Sequence, residues 1–174
     1  MFIADDFEAK APEVPWFENA SAELGIRGHA TKKPIEVLKT EIKAAMSKLG
    51  GGVTSFVSGK FPTKPPRYGY QIIFNYGSRE GRIEIAALPI KKETPGKRKQ
   101  ALKQALYTVR EMLDSQFNSG VLIPGSAPLI PYMLDDKGRT LAESLSKKES
   151  IPLLSPPLEE GVDYEEGEFT EVDD

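Results

Sequence analysis

Residues Arg67–Lys103 read RYGYQIIFNYGSREGRIEIAALPIKKETPGKRKQALK, and the fold turns on this stretch. Alternation places Tyr68, Tyr70, Ile72, Phe74 and Tyr76 on one face of a strand and Gly69, Gln71, Ile73 and Asn75 on the other. Gly77-Ser78-Arg79-Glu80-Gly81 reads as a hairpin loop, and Arg82–Leu88 as the return strand, with Ile83, Ile85 and Ala87 on one side. Pro89 closes that strand because it has no N–H to give a ladder. Thr94-Pro95 then supplies an N-cap followed by proline at the first helical position, where a missing N–H costs nothing.

Working outward, Ala101, Leu102, Ala105, Leu106, Val109, Met112 and Leu113 form the apolar stripe of that helix, and Asn118-Ser119-Gly120 is its expected stop. Upstream, Ile35, Leu38, Ile42, Ala45, Met46 and Leu49 recur at helical spacing, so a helix is expected from Pro34 to Leu49, ended by Gly50-Gly51-Gly52. Val53–Phe61 alternates as a strand before Pro62, Pro65 and Pro66 force a loop. The expected fold class is α+β: a three-stranded antiparallel sheet packed by two helices in the order αβββα. An irregular N-terminal arm and an acidic, disordered C-terminal tail flank it. Beyond Gly120 the chain is broken by prolines and should lie across the domain. A turn at Asp136-Lys137-Gly138 and one or two helical turns over Thr140–Leu145 follow. The resulting division is an acidic arm over 1–30, a basic domain over 31–146 and a tail over 147–174.

At 174 residues one core is expected. No run approaches the roughly 18 apolar residues that would span a bilayer. The opening residues MFIADDFEAK are acidic where a secretory signal would be basic and then apolar, so a cytoplasmic location is expected. The absence of cysteine excludes disulfides, thiolate metal sites and cysteine nucleophiles. His29 is the single histidine, and no glycine-rich loop ends in Gly-Lys-Ser/Thr. A metal-dependent nuclease needs acids at strand ends, and Glu84 is the only acid within the expected strands. The expectation is therefore a protein that is not an enzyme, with no cofactor and no metal.

Charge is segregated along the chain. Residues 1–30 carry two basic and six acidic side chains, 31–110 seventeen and five, and 111–174 four and fifteen. The net charges of −4, +12 and −11 sum to −3 and point the centre toward a polyanion. Lys60, Lys64, Arg67, Arg79 and Arg82 from the sheet are candidate phosphate contacts. Lys91, Lys92, Lys97, Arg98, Lys99 and Lys103, around the start of the second helix, join them. Tyr68 and Tyr70 are candidate stacking residues for unpaired bases, the alternative being that the tyrosine row is the core face. Cations at a helix start oppose the helix dipole, and a bound phosphate would relieve that conflict. In the arm, Trp16 and Phe17 either cap the protein's own core or dock on a partner. The last sixteen residues from Glu159 hold nine acids, no base, and Phe169 as a further candidate partner contact.

The element order over residues 34–117 resembles two nucleic-acid modules, the double-stranded-RNA-binding domain and the core of phage-type single-strand annealing proteins. Lys91-Lys92 and Lys97-Arg98-Lys99 with Lys103 look like the lysine-rich start of the last helix in the former, which contacts RNA phosphates. The acidic tail is similar to those of bacterial and phage single-stranded-DNA-binding proteins, although here Phe169 is internal and the chain ends Glu171-Val172-Asp173-Asp174. These resemblances imply binding of nucleic acid, single-stranded DNA ahead of duplex or RNA, in phage or mobile-element replication or recombination. Protein partners for the tail are also implied, and a homo-oligomer is a separate expectation. The alternative expectation is a protein-interaction module, a subunit or inhibitor docking through Trp16-Phe17 and the acidic tail.

Overall fold

The computed structural model describes residues 13–20 and 26–146, so the C-terminal tail, with Phe169, lies outside the described residues. The elements are α1 (Ile35–Lys48), β1 (Gly51–Phe61), β2 (Arg67–Tyr76), β3 (Arg79–Ala86), α2 (Pro95–Leu122) and α3 (Leu141–Ser146). Two 3-10 turns are added at Phe17–Asn19 and Ile130–Tyr132. The sheet is antiparallel in the order β1-β2-β3, as expected.

The helices share one face of the sheet because a single alternating row is apolar. Tyr70, Ile72 and Phe74 of β2 and Ile83 of β3 meet Leu38, Ile42 and Met46 of α1 and Leu106, Val109 and Leu113 of α2 in one buried cluster. Leu129 and Met133, from the returning chain, close it. Full burial of each large side chain contributes about 1.5–3 kcal/mol. Opposite-facing Gln71 and Glu84 bond each other across the strands at 2.9 Å.

Several boundaries differ from the sequence reading for identifiable reasons. Gly50 alone ends α1, at φ +84°, whereas Gly51 and Gly52 belong to β1 and pair with Tyr76 and Asn75. The hairpin needs only Gly77-Ser78, with Gly77 at φ +60°, so β3 starts at Arg79 and takes in Glu80 as a second acid beside Glu84. Helix α2 runs through Asn118-Ser119-Gly120 to Leu122. Ser119 Oγ bonds the Ser115 carbonyl at 3.0 Å, and Pro128 covers Gly120, so packing overrides weak stop signals. The proline-broken return bridges β3 through Gly81 and Met133, and Leu134 N donates to Glu80 O at 3.0 Å. Its Asp135–Gly138 turn leads into α3, which starts with a reciprocal cap: Thr140 N donates to Glu143 Oε2 (2.7 Å) and Glu143 N to Thr140 Oγ1 (3.2 Å).

Among the described residues, no helix is long and apolar enough to cross a membrane.

Candidate nucleic-acid interface

One end of the sheet gathers the basic residues, because the β1–β2 and β3–α2 connections both emerge there. Lys60 pairs in register with Tyr68 at that end of the ladder, and Ala87 N donates to Tyr68 O at 2.7 Å. The segments 60–67 and 91–99 thus bring together Lys60, Lys64, Arg67, Lys91, Lys92, Lys97, Arg98 and Lys99. Glu93 and, from the arm, Glu18 are the acids set among them.

Tyr68 is the hub of this end. The Lys60 ammonium lies 5.4 Å and the Arg98 guanidinium 4.5 Å from its ring centroid. Its hydroxyl donates to Glu93 Oε1 at 2.8 Å, and Arg98 pairs with the same carboxylate oxygen. The bond to Glu93 holds the Tyr68 phenol above its usual range. That bond, followed by the one from Arg98, holds Glu93 below the usual carboxylate range. The start of α2 is capped from within the chain, Lys97 N donating to Thr94 Oγ1 at 3.2 Å.

The other predicted contacts separate into those with internal partners and those without. Tyr70 is 5% exposed in the core, so a stacking role for it is withdrawn; burial pushes its phenol up. Arg67 donates from Nε to Ala87 O and from Nη2 to Ala86 O, both at 2.7 Å, and clamps the end of β3. Arg82 donates from Nη2 to both Glu143 carboxylate oxygens at 2.9 Å, from Nη1 to Gly138 O at 3.1 Å, and lies 3.3 Å from Glu84. Arg82 therefore ties β3 to α3 and does not present a free guanidinium to phosphate. Lys91 lies over the Trp16 ring at 5.9 Å, and Lys97 pairs with Glu18 at 3.0 Å. Lys64, Lys92, Lys99 and Lys103 have no ion pair among the described residues. Arg79 has none either, but it sits at the hairpin turn, the opposite end of β2 from Tyr68.

The arm settles one of the open alternatives. Phe17 is 6% exposed against Ala87, Ala101 and Ala105 and so belongs to this chain's own core, while Trp16 is half-buried beside it. A partner contact through Phe17 is corrected on that ground. Two features were missed in the sequence. Glu18 and Glu93 answer the cations at the start of α2, although only their neighbourhood in sequence to Trp16-Phe17 and Thr94 could have suggested it. On the open face of the sheet, Val57, Gly59, Phe61, Gln71, Glu84 and Lys60 line a shallow depression next to the basic end. The alternation of β1 carries that signal, since Val57, Gly59 and Phe61 share the face turned away from the helices.

No three side chains among His, Asp and Glu converge to hold a metal ion among the described residues. No protein-family model, curated protein or solved structure matches the chain.

Proposed function

We propose that the protein binds nucleic acid through the Tyr68 end of its sheet, with single-stranded DNA as the preferred form, and that it acts without catalysis. The observation that carries this reading is the concentration of uncompensated ammonium groups at one end. Lys64 and Lys92 lie in the two connections that emerge at this end, and Lys99 and Lys103 in the first turns of α2, while Lys60 and Arg98 flank the Tyr68 ring itself. Ammonium groups left without internal carboxylates contact phosphates by releasing condensed counterions. Tyr68 is half-buried, and its ring would accept a base once Lys60 or Arg98 turns from it to a phosphate. A phage-like or mobile-element replication or recombination setting, with protein partners recruited by the acidic tail, is part of the same proposal.

The test is a titration of labelled single-stranded DNA, duplex DNA and RNA at low salt. Binding should weaken when Lys97, Arg98 and Lys99 are replaced together by alanine and strengthen when the chain is cut after Ser155. Flat titrations for all three ligands would overturn the reading.

A second reading, a protein-interaction module, is favoured by a different surface. Val121, Leu122, Ile123 and Ile130 are exposed large apolar side chains near the C-terminal end of α2. Specific protein capture after nuclease treatment, together with no direct nucleic-acid binding, would select it.

A further inference from the structure

Glu18 is held in a ring of donors drawn from the far side of the sequence. Its Oε2 accepts from the Lys91 backbone N–H at 3.1 Å, and its Oε1 accepts from the Lys92 backbone N–H at 3.2 Å and from Lys97 Nζ at 3.0 Å. Two successive backbone N–H groups and an ammonium aimed at one point make an oxyanion cradle, and its chemistry suits a phosphate as well as a carboxylate. The cradle belongs to the loop before α2 and to its first turn. The carboxylate comes from the arm.

The arm has anchors other than Glu18. Phe17 is buried, its N–H donates to Pro89 O at 2.8 Å, and His29 Nε2 lies 3.0 Å from Phe17 O. A carboxylate carried on such an anchor can leave the cradle while the anchor stays in place. The surroundings hold more positive charge than one carboxylate answers, since Lys92 and Lys99 have no ion pair among the described residues.

We propose that the Lys91-Lys92-Lys97 cradle is a phosphate site, that Glu18 fills it as an internal phosphate mimic, and that a backbone phosphate of nucleic acid displaces it. The identity of the displacing ligand rests on the nucleic-acid reading above; the cradle itself does not. Glu18 holds its charge down to a pKa of about 2, chiefly because of the bond from the Lys91 N–H, so mild acidification does not open the cradle. A competing anion does, by mass action between two occupants of one site.

The experiment follows the Lys91 and Lys92 amide resonances of the full chain during titration with inorganic phosphate at constant ionic strength. In Glu18→Ala both resonances should move saturably, at phosphate concentrations at least about fivefold lower than in the wild type. Glu93→Ala removes an acid from the same end but leaves the cradle filled, so its resonances should follow the wild type. Glu18→Gln keeps the side-chain length without the charge and repeats the test if the alanine variant loses its native spectrum. No saturable movement in a natively folded Glu18 variant would overturn the cradle, and equal responses in wild type and Glu18→Ala, or a Glu93→Ala response as strong as that of Glu18→Ala, would overturn Glu18 as its occupant. A parallel titration with an oligothymidylate lacking terminal phosphate separates the two proposals. Phosphate saturation without oligonucleotide binding would overturn the nucleic-acid reading alone. Oligonucleotide binding without a phosphate response would overturn the cradle alone.

Discussion

The salt dependence of binding tests the division between internally paired and unpaired cations more sharply than affinity does. Lys60, Lys64, Lys92, Lys99 and Lys103 lie at or near the Tyr68 end, and none is in an ion pair among the described residues. If each neutralises one phosphate of a single strand, log K should fall against log salt with a slope of about −3.5, at about −0.7 per contact. Raising salt from about 50 to about 200 mM should then weaken binding about 100-fold. Replacing Lys99 and Lys103 by alanine should bring the slope to about −2.1. Arg79→Ala, at the far end of the hairpin, should leave it unchanged. Fluorescence anisotropy with a labelled oligothymidylate over a salt series reads each slope directly. A wild-type slope shallower than about −1.5, or an effect of Arg79→Ala equal to that of Lys99→Ala, would refute the assignment of this end as the phosphate-binding surface.

Three further predictions concern the framework that holds this surface. A Cβ added at Gly81 would stand 2.3 Å from Phe74 Cζ, a fully buried ring atom, so Gly81→Ala should destabilise by about 1–3 kcal/mol in chemical denaturation. Adding Phe74→Leu removes the struck atoms, and the double variant should be less destabilised than the two single changes summed. Phe17→Ala should cost about 3 kcal/mol by denaturant midpoint, at the low end for a buried phenylalanine because its neighbours are small alanines. The third concerns pH: Glu18 titrates at about 2 in the folded chain, below the roughly 4.3 of a free glutamate. Its contribution to stability should therefore be complete above the free value and disappear as pH falls toward the folded one, and Glu18→Gln should flatten that part of an acid-unfolding curve.

Elements whose signals were local and mutually consistent could be read from the sequence. The alternation of Tyr70, Ile72 and Phe74 and the stripe of Leu38, Ile42 and Met46 each name a buried face, and the structure joins those faces. Thr94-Pro95 marks the start of α2 because capping depends on a few adjacent residues. Ends set by distant contacts could not be read. The continuation of α2 past Gly120 depends on Pro128, and the cover over β3 depends on Met133 and Leu134 returning to Gly81 and Glu80. The same limit applies to the candidate site. A count of cations located the basic segment but could not distinguish Lys97, answered by Glu18 more than seventy residues earlier, from Lys99, answered by nothing among the described residues.

That distinction changes how an alanine scan of the basic residues must be interpreted. Arg67 donates two bonds to the carbonyls of Ala86, the last residue of β3, and Ala87, the next one, and burial lowers its pKa, so its loss leaves partly buried acceptors unsatisfied. Arg82 joins three segments through Gly138, Glu84 and Glu143, and its removal loosens α3 before any ligand is considered. Both positions would score as binding residues in an affinity assay because a less stable domain presents its basic end less often in the competent arrangement. Lys64, Lys92 and Lys99 make no such bonds among the described residues, so a change at these lysines should lower affinity and salt slope together without moving the unfolding midpoint. Measuring stability beside affinity therefore separates the arginines that build the surface from the lysines that use it.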